Sequence, residues 1–162
     1  MSAHRGIDLN ALVDALNSIA PLHLAGSWDN VGLLVDVASP RPVHRIILTI
    51  DLSEAVMAEA LEDGVDAIIA YHPPIFRGLK RLSADVPMSR HILRAVEAGV
   101  AIYSPHTALD AVVGGVADWL LSGLGPMHDV RPIEPSDATS GCKTGHGRWG
   151  QLDSATPLST LT

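Results

Sequence analysis

The stretch from Arg45 to His72, RIILTIDLSEAVMAEALEDGVDAIIAYH, decides the fold class. Its first six residues are β-branched and nearly all apolar, which predicts a strand that is buried on both faces. Ser53 can cap a helix whose apolar stripe stops at Gly64, and the run Val65–Ala70 predicts a second buried strand. Strand, helix and strand in this order predict a βαβ unit with two parallel strands.

The flanking segments extend the same alternation. An amphipathic helix follows Asp8, and residues 31–35 are a candidate short strand. Downstream, Pro87 suits the first turn of a helix that Gly99 closes, and Val100–Ser104 is a further apolar strand. The sequence therefore predicts an α/β fold with a mostly parallel sheet flanked by helices.

Composition changes towards the end of the chain. A last helix spans residues 116–124, and residues 131–162 are rich in Pro, Ser, Thr and Gly, with strand candidates at 127–133 and 148–152. This tail is too short to form a second core. We predict an α/β half-domain over residues 1–130 and a tail with a short strand over residues 131–162.

Charge and cysteine content exclude several classes of function. The 162 residues contain 11 Lys and Arg against 18 Asp and Glu, and a net charge of -7 disfavours binding to nucleic acid. The single cysteine, Cys142, cannot form an internal disulfide, so we expect a reducing compartment. We find neither a signal-peptide pattern nor a bilayer-length apolar run, and we expect a cytoplasmic protein without membrane association.

Several side chains outside the strands carry expectations about burial. Met88 and Trp119 lie on apolar helical stripes and are predicted to be core residues, and Trp28 is predicted to pack on the core from a loop. Six histidines are predicted to be solvated: His4, His23, His44, His91, His128 and His146.

Candidate site residues follow the three best predicted strands. In open α/β sheets, ligands bind beyond the carboxyl ends of the strands, and parallel neighbours bring these ends together. The residues concerned are Asp51, Tyr71, His72, His106 and Asp110. Imidazole and carboxylate groups are ligands of zinc, iron, manganese and nickel, so the pattern indicates a divalent metal site.

Simpler interpretations stand beside this one. A single histidine at a strand end is often a polar residue satisfied by backbone groups. Asp51 fits better as a cap for the helix at Ser53 than as a ligand. The segment after Pro105 is predicted to be a loop, so helical spacing of His106 and Asp110 is not expected. No serine or cysteine has the context of an activated nucleophile, which gives no support to covalent acyl transfer.

Four linked motifs, in the same order over about residues 8 to 125, resemble the NGG-interacting-factor-three-like family, whose members are also known as homologues of type 2 GTP cyclohydrolase I. The motifs are Trp28–Leu33 (WDNVGL), Ile47–Leu52 (ILTIDL), Tyr71–Phe76 (YHPPIF) and Tyr103–Asp110 (YSPHTALD). The segment Gly145–Leu152 (GHGRWGQL) is similar to a glycine and arginine signature that begins the family's connection to its later part.

The resemblance implies a three-layer α/β fold of two similar halves, a dinuclear metal site between them, and often a toroidal hexamer. It also implies metal-dependent hydrolysis of a nucleotide-like substrate. By position, His72 is the second histidine of the metal-binding pair and Asp110 the bridging carboxylate. His106 would lie near the metal or face the substrate, as the candidate catalytic residue. Tyr71 replaces the first histidine of many members and is a third candidate ligand, although a phenol ordinarily has a pKa of about 10.

The chain is shorter than the resemblance predicts. A His and a Glu that complete the site in the last part of such proteins have no counterpart, and two protein ligands seldom hold a divalent ion tightly. A truncated or frameshifted gene product, a fragment, and a short form that completes its site across a subunit interface all fit. Half of a paired fold exposes apolar surface, so we expect a homo-oligomer. The competing hypothesis is a non-catalytic interaction protein with a structural or vestigial metal site.

Overall fold

The structure, a computed structural model, describes residues 6–39 and 41–160 and contains the predicted alternation of strands and helices. The helices are α1 (Leu9–Ile19), α2 (Glu54–Glu62), α3 (Pro87–Ala98), α4 (His106–Ala111) and α5 (Val116–Ser122). The strands are β1 (Gly32–Val35), β2 (Ile46–Thr49), β3 (Ala67–Ala70), β4 (Ala101–Ser104), β5 (Met127–Arg131), β6 (Glu134–Pro135), β7 (Gly145–His146) and β8 (Trp149–Leu152). Within the described residues, no helix has the length and apolar character needed to cross a membrane.

Two compact units make up the chain. The first contains the residues up to Ser18 and those from Ser27 to His106, and the second contains Ile19–Gly26 and the residues from Thr107 onwards. The division at residue 130 that composition suggests stays a prediction.

A four-stranded sheet organises the first unit. Its strand order is β1-β4-β3-β2, with β2, β3 and β4 parallel and β1 antiparallel to β4. Ile46 pairs with Ala67, and Ala67 pairs with Ala101, so the three parallel strands start level with one another. The mostly parallel sheet predicted from the sequence is confirmed, and its carboxyl ends lie at one edge.

Both faces of this sheet carry helices, which gives three layers. On one face Ile68 and Ile102 pack in a cluster that includes Met57 of α2 and Ile92 of α3. On the other face Ala67 and Ala101 pack against Leu9 and Leu12 of α1. Because successive side chains of a strand point to opposite faces, one apolar strand serves both layers.

Local sequence signals set the helix boundaries as expected. Asp8 Oδ1 accepts a hydrogen bond of 2.9 Å from the Asn10 amide, and Ser53 Oγ accepts one of 3.3 Å from the Val56 amide. Gly99 ends α3 with a φ of 64°, a left-handed conformation that glycine adopts without steric cost.

The prediction that β2 is buried on both faces is wrong. The strand lies at the edge of the sheet. Ile47 packs against the core, but Leu48 is 70% exposed. An apolar run does not distinguish an edge strand from a central one, because that distinction depends on which other strands pair with it.

Two core predictions on helices are wrong. Met88 is exposed on α3, and Trp119 is 71% exposed on α5. His91, predicted to be solvated, is instead buried on α3, with Nε2 lying 2.9 Å from Glu54 Oε2. A carboxylate partner binds one nitrogen of this imidazole, while Nδ1 is buried among the described residues without a hydrogen-bond partner. The buried face of α3 therefore includes a polar residue that an apolar stripe does not reveal. His4 lies outside the described residues.

The second unit contains two small antiparallel sheets. Strands β5 and β8 pair, which confirms the strand candidates at 127–133 and 148–152, and β6 pairs with β7. The buried Arg148 connects the parts of this unit, because its side chain is 2% exposed and its guanidinium binds the carboxylate of Asp118 on α5. The same guanidinium donates to the carbonyl oxygens of Ala111, Val112 and Gly145 at 3.3, 3.1 and 2.6 Å.

Removing this ion pair is expected to destabilise the protein in a pH-dependent way. Burial alone would raise the pKa of Asp118, but the hydrogen bonds from Arg148 and the Gly114 amide together lower it. The ionised carboxylate thus contributes stability above its ordinary pKa of 3.8, and the contribution is lost as the pH falls through the lower folded-state pKa. Asp118→Asn should lower the free energy of unfolding by about 3 kcal/mol at neutral pH, because it leaves a buried guanidinium without its charge partner.

Urea unfolding at pH 7 and in acid measures this difference. Asp153→Asn, which removes the exposed partner of His128, is the matched control and should cost less than about 1 kcal/mol. Equal costs for the two variants, or a cost of Asp118→Asn that persists in strong acid, would contradict the assignment.

Candidate metal site

The candidate site lies at the edge of the sheet where the parallel strands end. Beyond β2 and β3, the amides of Tyr71 and His72 donate to the carbonyl oxygens of Thr49 and Ile50, both at 2.9 Å. Ser104 Oγ, at the end of β4, donates to the Tyr71 carbonyl oxygen at 2.8 Å. These bonds hold together the backbone segments that follow β2, β3 and β4, so the strand ends converge as expected. We call the four side chains that follow these strand ends, Asp51, Tyr71, His72 and His106, the rim.

Two imidazoles and a phenol come together there. The ring centroids of His72 and His106 are 5.7 Å apart, and Tyr71 lies 5.0 Å from the first and 5.7 Å from the second. Residues separated by more than thirty positions in the sequence therefore share one rim, as the strand-end argument predicts.

A carboxylate holds one ring nitrogen of each histidine. His72 Nδ1 lies 2.8 Å from Asp51 Oδ1, and His106 Nδ1 lies 2.8 and 2.9 Å from the two oxygens of Asp29. An ionised carboxylate only accepts hydrogen bonds, so Nδ1 carries the proton in both rings and the lone pair of each neutral imidazole is on Nε2. Histidines that bind metals in proteins commonly have this carboxylate behind the ring.

The two pairs differ in environment. The Asp29 side chain is fully buried, whereas Asp51 and His72 are exposed. Asp29 also accepts a hydrogen bond of 2.7 Å from the Asn30 amide, which helps to satisfy its buried charge. The interpretation of Asp51 as a helix cap is wrong, because Ser53 alone caps α2 while the Asp51 carboxylate orients His72.

The segment after Pro105 is helical and not a loop. Helix α4 begins at His106, whose φ of 33° is in the left-handed region. Asp110 lies four residues later on the same short helix and belongs to the second unit. That Asp110 shares a metal with His72 stays a prediction.

The side chains at this sheet edge are of types that bind divalent metals, but they are fewer than a metal site usually has. Two imidazoles with the lone pair on Nε2 are suitable ligands for zinc, iron, manganese or nickel. Among residues 6–39 and 41–160, no group of three or more His, Cys, Asp and Glu side chains forms a cluster that could hold an ion. A divalent metal at this sheet edge stays a prediction.

Sequence reasoning missed the role of one residue, Asp29. Its place in a loop gives no sign of a partner far away in the sequence, and its neighbour Trp28, predicted to pack on the core, is 66% exposed. The signal that could have found Asp29 is its place in the motif WDNVGL, one of the four linked motifs. Tyr103 is buried on β4; burial raises its pKa, and its hydroxyl donates to Asn17 Oδ1 at 2.7 Å, which indicates a structural role.

A separate cavity of about 680 Å³ lies in the second unit. Its lining includes Val113, Leu121, Met127, Arg131 and Lys143. None of the site residues predicted from the sequence lines it, so the rim remains the candidate site.

Comparisons with known proteins agree with the fold. The family model Duf34/NIF3 (NGG1p interacting factor 3) matches residues 7–162. NIF3-like protein 1 of Rattus norvegicus is 50% identical over 137 residues, which cover 85% of this chain and 36% of that protein. The chain thus spans about a third of the length of this relative.

Solved structures show the same architecture. A Bacillus cereus protein related to NIF3 superposes with a TM-score of 0.71 at 33% identity, covering 79% of this chain and 35% of that one. HcgD from Methanocaldococcus jannaschii has a TM-score of 0.72 at 23% identity over 81% of this chain and 52% of its own, a likeness of fold.

The two carboxylates should each control one imidazole. Asp29→Asn replaces the acceptor-only carboxylate beside His106 Nδ1 with an amide whose NH2 group can instead donate to that nitrogen, and we expect a smaller population of the Nδ1-protonated tautomer of the neutral ring. Long-range nitrogen–proton NMR correlations of the imidazoles measure the tautomer. The tautomer population of His72 should be unchanged in this variant. Asp51→Asn should change the tautomer population of His72 and leave that of His106 unchanged. If neither substitution changes its own ring, the assigned protonation is wrong.

Proposed function

We propose, because this chain belongs to the Duf34/NIF3 family, that it is a cytoplasmic protein that binds a divalent metal and forms part of a metal-dependent hydrolase acting on a nucleotide-like substrate. The observation that carries the proposal is the pair of carboxylate-held imidazoles at one sheet edge. His72 and Asp110 are the proposed ligands, Tyr71 is the third candidate, and the family pattern makes the site dinuclear.

A divalent ion supplies Lewis acidity, which brings the pKa of water towards neutrality and makes hydroxide available for hydrolysis. The residues of the rim bind and orient. Asp51 holds the His72 ring by Nδ1, so Nε2 is the atom that would bind the ion, and Asp29 orients the His106 ring in the same way. His106 is proposed to face the substrate, where an imidazole can accept or donate a proton.

The rest of the ligand set is proposed to come from outside this chain's own rim. Catalytic metal sites usually have three or more protein ligands. A later segment of a longer protein, or another copy in a homo-oligomer, can supply the missing side chains. Such an assembly, hexameric on the family pattern, is part of the proposal.

Cobalt titration followed by visible absorption tests the ligands. His72→Ala and Asp110→Ala should each weaken cobalt binding by at least about tenfold, because each removes a direct ligand. His128→Ala is the matched control: His128 Nδ1 also lies 2.7 Å from a carboxylate, that of Asp153, but on an exposed part of the second unit. Binding that is unchanged in both site variants, or lost equally in the control, would refute the assignment.

A second candidate function is that of a non-catalytic interaction protein. Exposed apolar side chains on α5, Trp119 and Leu120, favour it, because large exposed apolar groups are typical of contact surfaces. Consumption of GTP by metal-loaded protein but not by the Asp110→Ala variant supports the enzyme. A metal-loaded protein that leaves GTP intact supports the interaction protein.

A further inference from the structure

Two exposed aromatic side chains lie beside the candidate metal site. Trp28 and Phe76 are 66% and 44% exposed, and their ring centroids are 6.1 Å apart at an interplanar angle of 67°. The centroid of His106 lies 6.4 Å from Trp28 and 6.2 Å from Phe76. The aromatic pair, Trp28 and Phe76, thus borders one of the two imidazoles.

The backbone that carries this pair is held in place. The buried Asp29, next to Trp28, binds His106, and the Asn30 side-chain amide donates to the Ile75 carbonyl oxygen, next to Phe76. Each aromatic residue therefore adjoins a residue fixed by a hydrogen bond. A pre-organised aromatic surface of this kind loses little conformational entropy when a flat ring stacks on it.

A basic segment follows Phe76 directly. Arg77, Lys80 and Arg81 are exposed and are three of the 11 basic residues of a chain with a net charge of -7. Within the described part of the chain, the ion pairs that form do not involve these three side chains. A positive segment on an acidic protein is suited to an anionic ligand.

We propose that the aromatic pair stacks the base of a nucleotide and that the basic segment, Arg77 to Arg81, binds its phosphate. This inference rests on the proposed function, since it names the residues that would select the substrate of that site. Aromatic side chains bind bases through their faces, and Lys and Arg neutralise phosphate. Both halves of such a ligand have complementary residues in the first unit, and the basic segment follows Phe76 directly in the sequence.

Calorimetric titration of the full chain, freed of metal with a chelator, tests the inference apart from the metal. The probes are guanosine 5′-monophosphate, guanosine and ribose 5-phosphate. Trp28→Ala and Phe76→Ala should each weaken binding of the monophosphate about tenfold, the lower range for a lost base stack, while Trp28→Phe should retain most of it. Trp149→Ala is the matched control, because Trp149 is 42% exposed, close to the exposure of Phe76, and belongs to the second unit.

Replacing Arg77, Lys80 and Arg81 together by alanine should bring the affinity for the monophosphate down to that for guanosine. Equal affinity of wild type for ribose 5-phosphate and the monophosphate would overturn the stacking role, as would unchanged binding in Trp28→Ala. If Trp28→Ala dissociates an assembly while wild type binds no probe, Trp28 belongs to a contact between copies and the inference is wrong. Cobalt binding measured on the same variant reports separately on the metal proposal.

Discussion

The parallel pairing of β2, β3 and β4 is the constraint on which the site depends. Because Ile46, Ala67 and Ala101 lie in one register, the three strands end level and deliver Asp51, His72 and His106 to a single edge. Small residues at Ala67 and Ala101 leave room for α1 on one face, while Ile68 and Ile102 fill the other. The apolar core thus fixes the register, and the register fixes which polar side chains meet.

The carboxylates of Asp51 and Asp29 each fix the tautomer of one histidine, which leaves Nε2 able to bind a ligand. A free imidazole exchanges its proton between two nitrogens, whereas a ring held by Asp29 or Asp51 has its lone pair on Nε2. The buried Asp29 exerts this control in a region of low dielectric, where a charge interacts more strongly than it does in water. The exposed Asp51 pair is screened more by solvent. The carboxylate–imidazole interaction is therefore stronger at His106 than at His72.

Most of the architecture could be predicted because it depends on local patterns. Ser53 and Gly99 mark helix ends through their own backbone chemistry, and the apolar strands are visible from their composition. The convergence of His72 and His106 could be predicted as well, since parallel strands bring their ends together.

The missed features depend on the partner that each side chain finds. Asp29 and Asp51 look like turn or cap residues until the fold brings an imidazole to them. His91 is buried because Glu54 of another helix accepts its hydrogen bond, and the exposure of Leu48 depends on which part of the sheet α1 covers. None of these long-range choices is encoded in the periodicity of a single segment.

The backbone of His106 has an unfavourable conformation at the centre of the candidate site. A non-glycine residue with a φ of 33° costs on the order of 1–2 kcal/mol, which a structure tolerates only where its surroundings compensate. Here the compensation is specific, because both oxygens of the buried Asp29 lie within 2.9 Å of His106 Nδ1. The contact that orients the imidazole thus lies at the residue with the strained backbone, which is the first residue of α4.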